Sequence, residues 1–255
     1  MPYQADLYYQ AYHADDRDRK PLVLIHGAGG DHLSWPSRIR RLSGYRVYTP
    51  DLPGHGKSRG HGLQRISAYG ELINNWLNEI EFPAIFLGGH SMGSAIALWT
   101  AIHHPDRVKG LILIGSGATL PVNLSLIEEL ASPQGLSTAV DNICRWSFSP
   151  KTDSRLIDEV RKQMLKNRPT VLGGDFRACD AYDLSGQLDQ IKAPTLILIG
   201  EEDKMTPLRF AEGLREGIQN AELQIIPGAG HMVPLEQPQK TADLIRGFLE
   251  KVSRH

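Results

Sequence analysis

Cysteine is scarce in this chain: Cys144 and Cys179 are the only two in 255 residues. That excludes a disulfide-stapled scaffold, and both read as reduced packing residues of a cytoplasmic enzyme. Long apolar runs are missing too, and none approaches the length of a membrane span. The segment Met1-Pro2-Tyr3-Gln4-Ala5-Asp6 has no basic stretch followed by an apolar one, so no secretory signal is expected. Charge of one sign is also lacking, because the formal net charge is only −1. Neither nucleic acid nor an anionic membrane surface is therefore an expected partner. The one basic run, Arg38-Ile39-Arg40-Arg41, reads as a solvated helix face. No Cys/His cluster has metal-ligand spacing. His103 and His104, just before Pro105, read as favourable charges at a helix C-terminus. Repeats and low-complexity linkers are absent.

What is present is alternation. Apolar residues make up 41 % of the chain and charged residues 22 %, enough for one large core or for a core with an insertion. Strand-like runs at 7–12, 21–25, 45–49, 82–87, 108–114, 194–200 and 222–226 alternate with helical patterns. This is the signature of a mostly parallel sheet covered by helices on both faces. The run 7–12 is expected as an edge strand, and the N-terminal segment carries no hairpin signal, which predicts a reduced first strand. Ser34-Trp35-Pro36 reads as a helix start with Ser34 as cap. Between Ile66 and Ile80, apolar residues at Leu72, Ile73, Trp76, Leu77 and Ile80 form a stripe of helical period. From 120 to 188 the strand pattern stops, and helical segments follow over 124–130, 136–146 and 154–166. The expected organisation is an α/β core of residues 1–119 and 189–255, with residues 120–188 inserted as an all-helical cap.

Gly89-His90-Ser91-Met92-Gly93 lies between an apolar strand and a helix of small residues. A serine flanked by glycines at such a junction is a nucleophile elbow, a strained turn that lifts its Oγ clear of the sheet. A serine hydroxyl is a poor nucleophile and needs a base, an orienting acid and an oxyanion site. In elbow hydrolases the acid and then the base follow the serine along the chain, each after a strand. Gly200-Glu201-Glu202-Asp203 and Gly228-Ala229-Gly230-His231 occupy those places. His231 is then the base for Ser91 and Asp203 its orienting acid, with Glu201 and Glu202 as competitors for the acid role. His26 precedes the serine and reads as a loop-forming residue, and His90 is expected to point away from the site. Gly56-Lys57-Ser58 is not a phosphate loop, since Asp51 stands where that motif needs glycine. Gly27-Ala28-Gly29-Gly30 misses the spacing of a dinucleotide fingerprint. The expected chemistry uses neither a metal nor an organic cofactor.

Taken together, His26-Gly27-Ala28-Gly29-Gly30, Asp51-Leu52-Pro53-Gly54-His55-Gly56-Lys57-Ser58, the elbow and the Asp203 and His231 loops make the chain resemble the α/β-hydrolase superfamily over essentially its whole length. It is most similar to the small carboxylesterase and enol-lactonase branch with a helical cap. The resemblance implies that the acid sits at the third loop position, Asp203, and that the N–H groups of Met92 and Ala28 form the oxyanion hole. Ser94 departs from a third glycine common after the elbow; its small hydroxyl should fit there. The implied activity is hydrolysis of a small-molecule carboxylic ester or lactone through an acyl-enzyme. C–C bond hydrolysis, cofactor-free perhydrolysis and a non-catalytic hydrolase-like receptor are the alternatives. Serine rather than aspartate at 91 argues against dehalogenase and epoxide hydrolase chemistry. Within the cap, Trp146, Phe148, Phe176, Tyr182 and Met164 are candidate cavity residues, with Met232 beside the base. Trp146, Phe148 and Met232 are the expected substrate contacts. Arg145 and Arg177 could meet a substrate carboxylate, but a solvated surface position is the expected one for both. The substrate itself and the oligomeric state are left open.

Overall fold

A computed structural model describes residues 3–4 and 6–254. Met1, Pro2 and Ala5, part of the segment read as lacking a secretory signal, lie outside the described residues. The strands are β1 (Tyr3–Gln4), β2 (Leu7–Tyr12), β3 (Lys20–Ile25), β4 (Tyr45–Pro50), β5 (Ile85–His90), β6 (Val108–Ile114), β7 (Thr195–Gly200) and β8 (Ala221–Ile226). The helices are α1 (Ser37–Arg40), α2 (Ile66–Glu79), α3 (Met92–His103), α4 (Leu124–Ala131), α5 (Leu136–Ser147), α6 (Ser154–Met164), α7 (Pro169–Asp180), α8 (Leu208–Gly217), α9 (Val233–Glu236) and α10 (Pro238–Val252). Among the described residues the strands form one eight-stranded sheet in the order β1-β2-β4-β3-β5-β6-β7-β8. β2 runs antiparallel to β4, and every pairing from β4 to β8 is parallel.

The central strands are apolar because both of their faces are covered. β5 and β7 are buried along their full length, as is β3 from Leu22 onward. One face packs on α2 and α3 through Ile73, Trp76, Leu77, Ile96 and Leu98. The other packs on α1 and α10 through Ile39, Ile245, Phe248 and Leu249. Each such fully buried side chain contributes about 1.5–3 kcal/mol relative to exposure. α3 is buried from Met92 to Ile102, so its sequence is apolar all round rather than amphipathic.

Two local expectations are corrected and a third is extended. The chain does form an N-terminal hairpin: β1 pairs antiparallel with β2, so β2 is not the edge and spans its full six residues. Helix α1 begins at Ser37 with Pro36 as its N-cap. Ser34 instead closes the preceding turn, where its hydroxyl accepts the Asp31 N–H at 3.1 Å while Asp31 caps Leu33. Residues 120–188 contain a further helix, α7, whose Gly173-Gly174 pair disguises it as a loop. Gly173 is required there because a Cβ would lie 2.8 Å from that of Ala131 on α4. Where this helical segment leaves and rejoins the sheet its two ends meet, with Thr119 bridging to Asp183 and Leu184 N–H donating to Ala118 O at 2.9 Å.

Candidate active site

The site is built on the carboxyl ends of parallel strands, where loops leave the sheet. β5 ends at His90, and Ser91 follows at φ 53°, ψ −119°, a region costly for any side-chain-bearing residue. The glycines on either side make this turn possible. A Cβ on Gly89 would lie 2.1 Å from the Gly93 carbonyl carbon, and one on Gly93 would lie 2.2 Å from Ile25 O. Ser94 accommodates the missing third glycine by using its hydroxyl. The Oγ donates to Gly89 O at 2.6 Å and accepts the Ile114 N–H at 2.9 Å, stitching the elbow to β6.

Asp203 follows β7 and His231 follows β8. His231 Nδ1–H donates to Asp203 Oδ2 at 2.8 Å, with both side chains buried. Asp203 Oδ1 accepts the Met205 and Thr206 N–H groups, and Oδ2 accepts the Thr206 hydroxyl, all at 2.8 Å. Burial alone would raise the Asp203 pKa. The His231 charge and these hydrogen bonds outweigh it and hold the carboxyl below its ordinary range. Asp203 is therefore a stable anion that fixes the imidazole with its other nitrogen free to take a proton. Thr206 went unnoticed in the sequence, although the Asp203-x-x-Thr206 spacing is a turn pattern of that kind. Glu201 and Glu202 are not in contact with His231. Glu201 is exposed and accepts the Gly228 N–H, while half-buried Glu202 accepts the Ser149 hydroxyl at 2.8 Å.

Ser91 and His231 line one cavity of about 320 Å³ between the strand ends and residues 120–188. No hydrogen bond joins them among the described residues, and such contacts often tighten only when substrate binds. Ala28 lines the same cavity, and Met92 opens α3 immediately behind Ser91. Phe148 and Met232 line it, as do Phe176 and Met164. Trp146 does not: it is 39 % exposed, because its helix turns Ile143, Cys144 and Ser147 inward instead. Tyr182 is buried elsewhere and donates to Gly117 O at 3.2 Å. Arg145 and Arg177 are exposed and outside the cavity. Cys144 lines the wall with its thiol pushed up to about 11, chiefly by burial.

His26 and His90, beside the site, hold backbone groups. Buried His26 donates from Nδ1 to Gly27 O at 2.8 Å and accepts the Leu52 N–H at 3.0 Å; burial and His55 lower it to about 4. His90 does not point away from the site. Its ring lies 4.9 Å from that of His231, and Nε2–H donates to the His231 carbonyl at 2.9 Å. Burial, then the His231 charge, lowers its pKa to about 3. The Asp51-to-Ser58 stretch is a turn closed on Asp51, whose carboxylate receives the N–H groups of His32 at 2.6 Å and Lys57 at 2.8 Å.

Sequence reasoning also missed how residues 120–188 grip the loop after β3. Asp175 Oδ2 accepts the Gly29 N–H at 3.1 Å and the His55 Nε2–H at 2.7 Å, and Oδ1 accepts the Tyr69 hydroxyl at 2.8 Å. Asn167 Nδ2 donates to Gly29 O at 2.8 Å, and Gln163 Nε2 to Asp31 Oδ2 at 2.6 Å. On the far side, Ser147 O receives the His231 N–H at 2.7 Å. Among the described residues no group of three or more His, Cys, Asp or Glu side chains is arranged to hold a metal ion. None of the described helices is long and apolar enough to cross a membrane.

The alpha/beta hydrolase fold family model matches residues 20–238. A 3-oxoadipate enol-lactonase of Acinetobacter baylyi is 29 % identical over 238 residues, covering 91 % of this chain and 89 % of its own. A pimeloyl-[acyl-carrier protein] methyl ester esterase of Aromatoleum aromaticum is 30 % identical, covering 90 % of this chain and 100 % of its own. Among solved structures, a thermophilic esterase from Thermogutta terrifontis superimposes with a TM-score of 0.87 at 26 % identity, covering 96 % of this chain and 93 % of that one.

Proposed function

The chain belongs to the alpha/beta hydrolase fold family, and on that premise we propose that it is a serine hydrolase cleaving carboxylic esters or lactones through an acyl-enzyme. Ser91 is the nucleophile, His231 the base and Asp203 the orienting acid. Residues 1–119 and 189–255 are the catalytic core, and 120–188 the cap over the cavity. The observation that carries this reading is the buried Asp203–His231 pair at 2.8 Å, whose imidazole opens on the same cavity as Ser91.

In the first half-reaction His231 Nε2 takes the Ser91 proton as Oγ bonds to the substrate carbonyl carbon. The oxyanion forms against the N–H groups of Ala28 and Met92, each such donor being worth about 3 kcal/mol in the transition state. The imidazolium then protonates the departing alkoxide, leaving Ser91 acylated. In the second half His231 removes a proton from water, hydroxide oxygen adds to the acyl carbon, and the acid leaves as Ser91 recovers its proton. Asp203 keeps the imidazole oriented throughout and stays ionised. The site residues carry all of these steps without a metal or cofactor. Acylation energy comes from the substrate itself. Two buried, unpaired cysteines support a cytoplasmic setting.

Turnover of p-nitrophenyl esters by wild type and Ser91→Ala tests this. Loss of about 10³-fold or more in kcat/KM is expected, together with loss of labelling by a fluorophosphonate. Unchanged turnover in the variant would remove Ser91 as the nucleophile, and slow or absent labelling of the wild type would favour a receptor.

A further inference from the structure

No lysine or arginine side chain lines the cavity among the described residues. Arg145 on α5, Arg155, Arg161 and Lys162 on α6, and Arg177 on α7 all lie outside it, Arg161 being paired with Asp141. The carboxylate side chains lining it are Asp31 and Glu159. Asp31 is buried, receives neutral donors, among them the Leu33 and Ser34 N–H groups and Gln163 Nε2–H, and forms no ion pair among the described residues. Glu159 is exposed and forms no close ion pair among the described residues, although it feels the charge of Arg155 on its own helix. The rest of the wall is apolar apart from the site residues and a few hydroxyl and amide groups, and about 320 Å³ is at the small end for a ligand site.

We propose that this site selects neutral esters and lactones with a compact apolar acyl group and rejects those whose acyl group carries a second, free carboxylate. The inference rests on the acyl-transfer reading above and adds to it the sign of charge the cavity tolerates. A carboxylate drawn from water into this cavity finds no cation to replace its hydration. It also enters beside two carboxylates of its own sign, and like charges brought together oppose binding. The same wall welcomes a methylene chain, whose transfer from water is favourable.

Three substrates of one acyl length decide it: p-nitrophenyl hexanoate, mono-p-nitrophenyl adipate, and the latter with its free carboxylate capped as a methyl ester. The uncapped adipate is expected to show kcat/KM about 100-fold below its capped form, while the capped form stays near hexanoate. In Glu159→Gln the gap between capped and uncapped forms narrows about threefold, as removal of one rim charge should do. A ratio near one in the wild type overturns the proposal, as does a preference for the free carboxylate. Because this reading and the acyl-transfer reading can fail separately, the comparison is repeated as binding. Calorimetry with an eight-carbon methyl ketone and its ω-carboxylate reports charge selection whatever Ser91 does. Esterase activity undiminished in Ser91→Ala would end the acyl-transfer reading. Weaker binding of the carboxylate ketone supports charge selection even then, and equal or tighter binding overturns it.

Discussion

Asp175, on a helix of the inserted segment, accepts the backbone N–H of Gly29, on the loop after β3, at 3.1 Å. Both are fully or nearly fully buried, and the same carboxylate holds His55 and Tyr69. Asn167 holds the other side of Gly29 through its carbonyl. The residue before Gly29 is Ala28, so the backbone proposed for one half of the oxyanion hole is held in place by side chains of residues 120–188.

Asn167→Ala removes one of these holds without touching a charge. If the Ala28 N–H holds the oxyanion as proposed, it is needed chiefly in the transition state, so kcat should fall several-fold while KM changes little. A rise in KM with kcat intact would show that Asn167 shapes substrate binding instead. Asp175→Ala breaks a buried pair and should destabilise the fold by about 3–5 kcal/mol, read from urea denaturation.

Gly115 lies at φ 57°, and a Cβ there would meet the His231 ring at 3.0 Å. Gly115→Ala should therefore cost about 1–2 kcal/mol in stability from the left-handed backbone. Displacement of the imidazole by a few tenths of an ångström should lower kcat several-fold. Steady-state kinetics on folded variant checks this; wild-type kcat would show that the ring has room to yield.

Thr206→Val removes the hydroxyl that donates to Asp203 Oδ2 at 2.8 Å. A hydrogen bond to a buried charge is worth about 1.5–3 kcal/mol, and stability at neutral pH should drop within that range. Asp203 has a lowered pKa, so its contribution is present above the ordinary carboxylate range and is lost as pH falls through the folded value. The variant should lose this contribution at higher pH than wild type, seen in denaturation midpoints measured below pH 5.

Acid should weaken the fold earlier for a second reason. His26 and His90 are held neutral down to about 4 and about 3, chiefly by burial. The unfolded chain protonates both near the ordinary value of 6.5. Between pH 6.5 and 4 the unfolded state thus binds more protons, and stability falls with falling pH. Each imidazole contributes about 1.4 kcal/mol per pH unit. His90→Gln should remove one proton's worth of that slope in urea titrations at pH 6, 5.5 and 5.

The sequence by itself determined the elbow, the order of Ser91, Asp203 and His231, the α/β alternation and the helical character of 120–188. These are legible because they are local. A buried parallel strand must be apolar throughout, and a serine at φ 53° needs small neighbours at Gly89 and Gly93. Only the tertiary structure decided which side of each inserted helix faces the cavity. A helical stripe does not say which neighbour covers it, so Phe148 turns inward while Trp146, two residues earlier, meets solvent. The same holds for helix α7, hidden by a glycine pair of which Gly173 serves its packing on α4, and for Ser34, drawn into the turn capped by Asp31. It holds above all for the contacts of Asp175, whose partners lie 106 to 146 residues away. Such contacts depend on where the chain returns in space, and no local pattern encodes that.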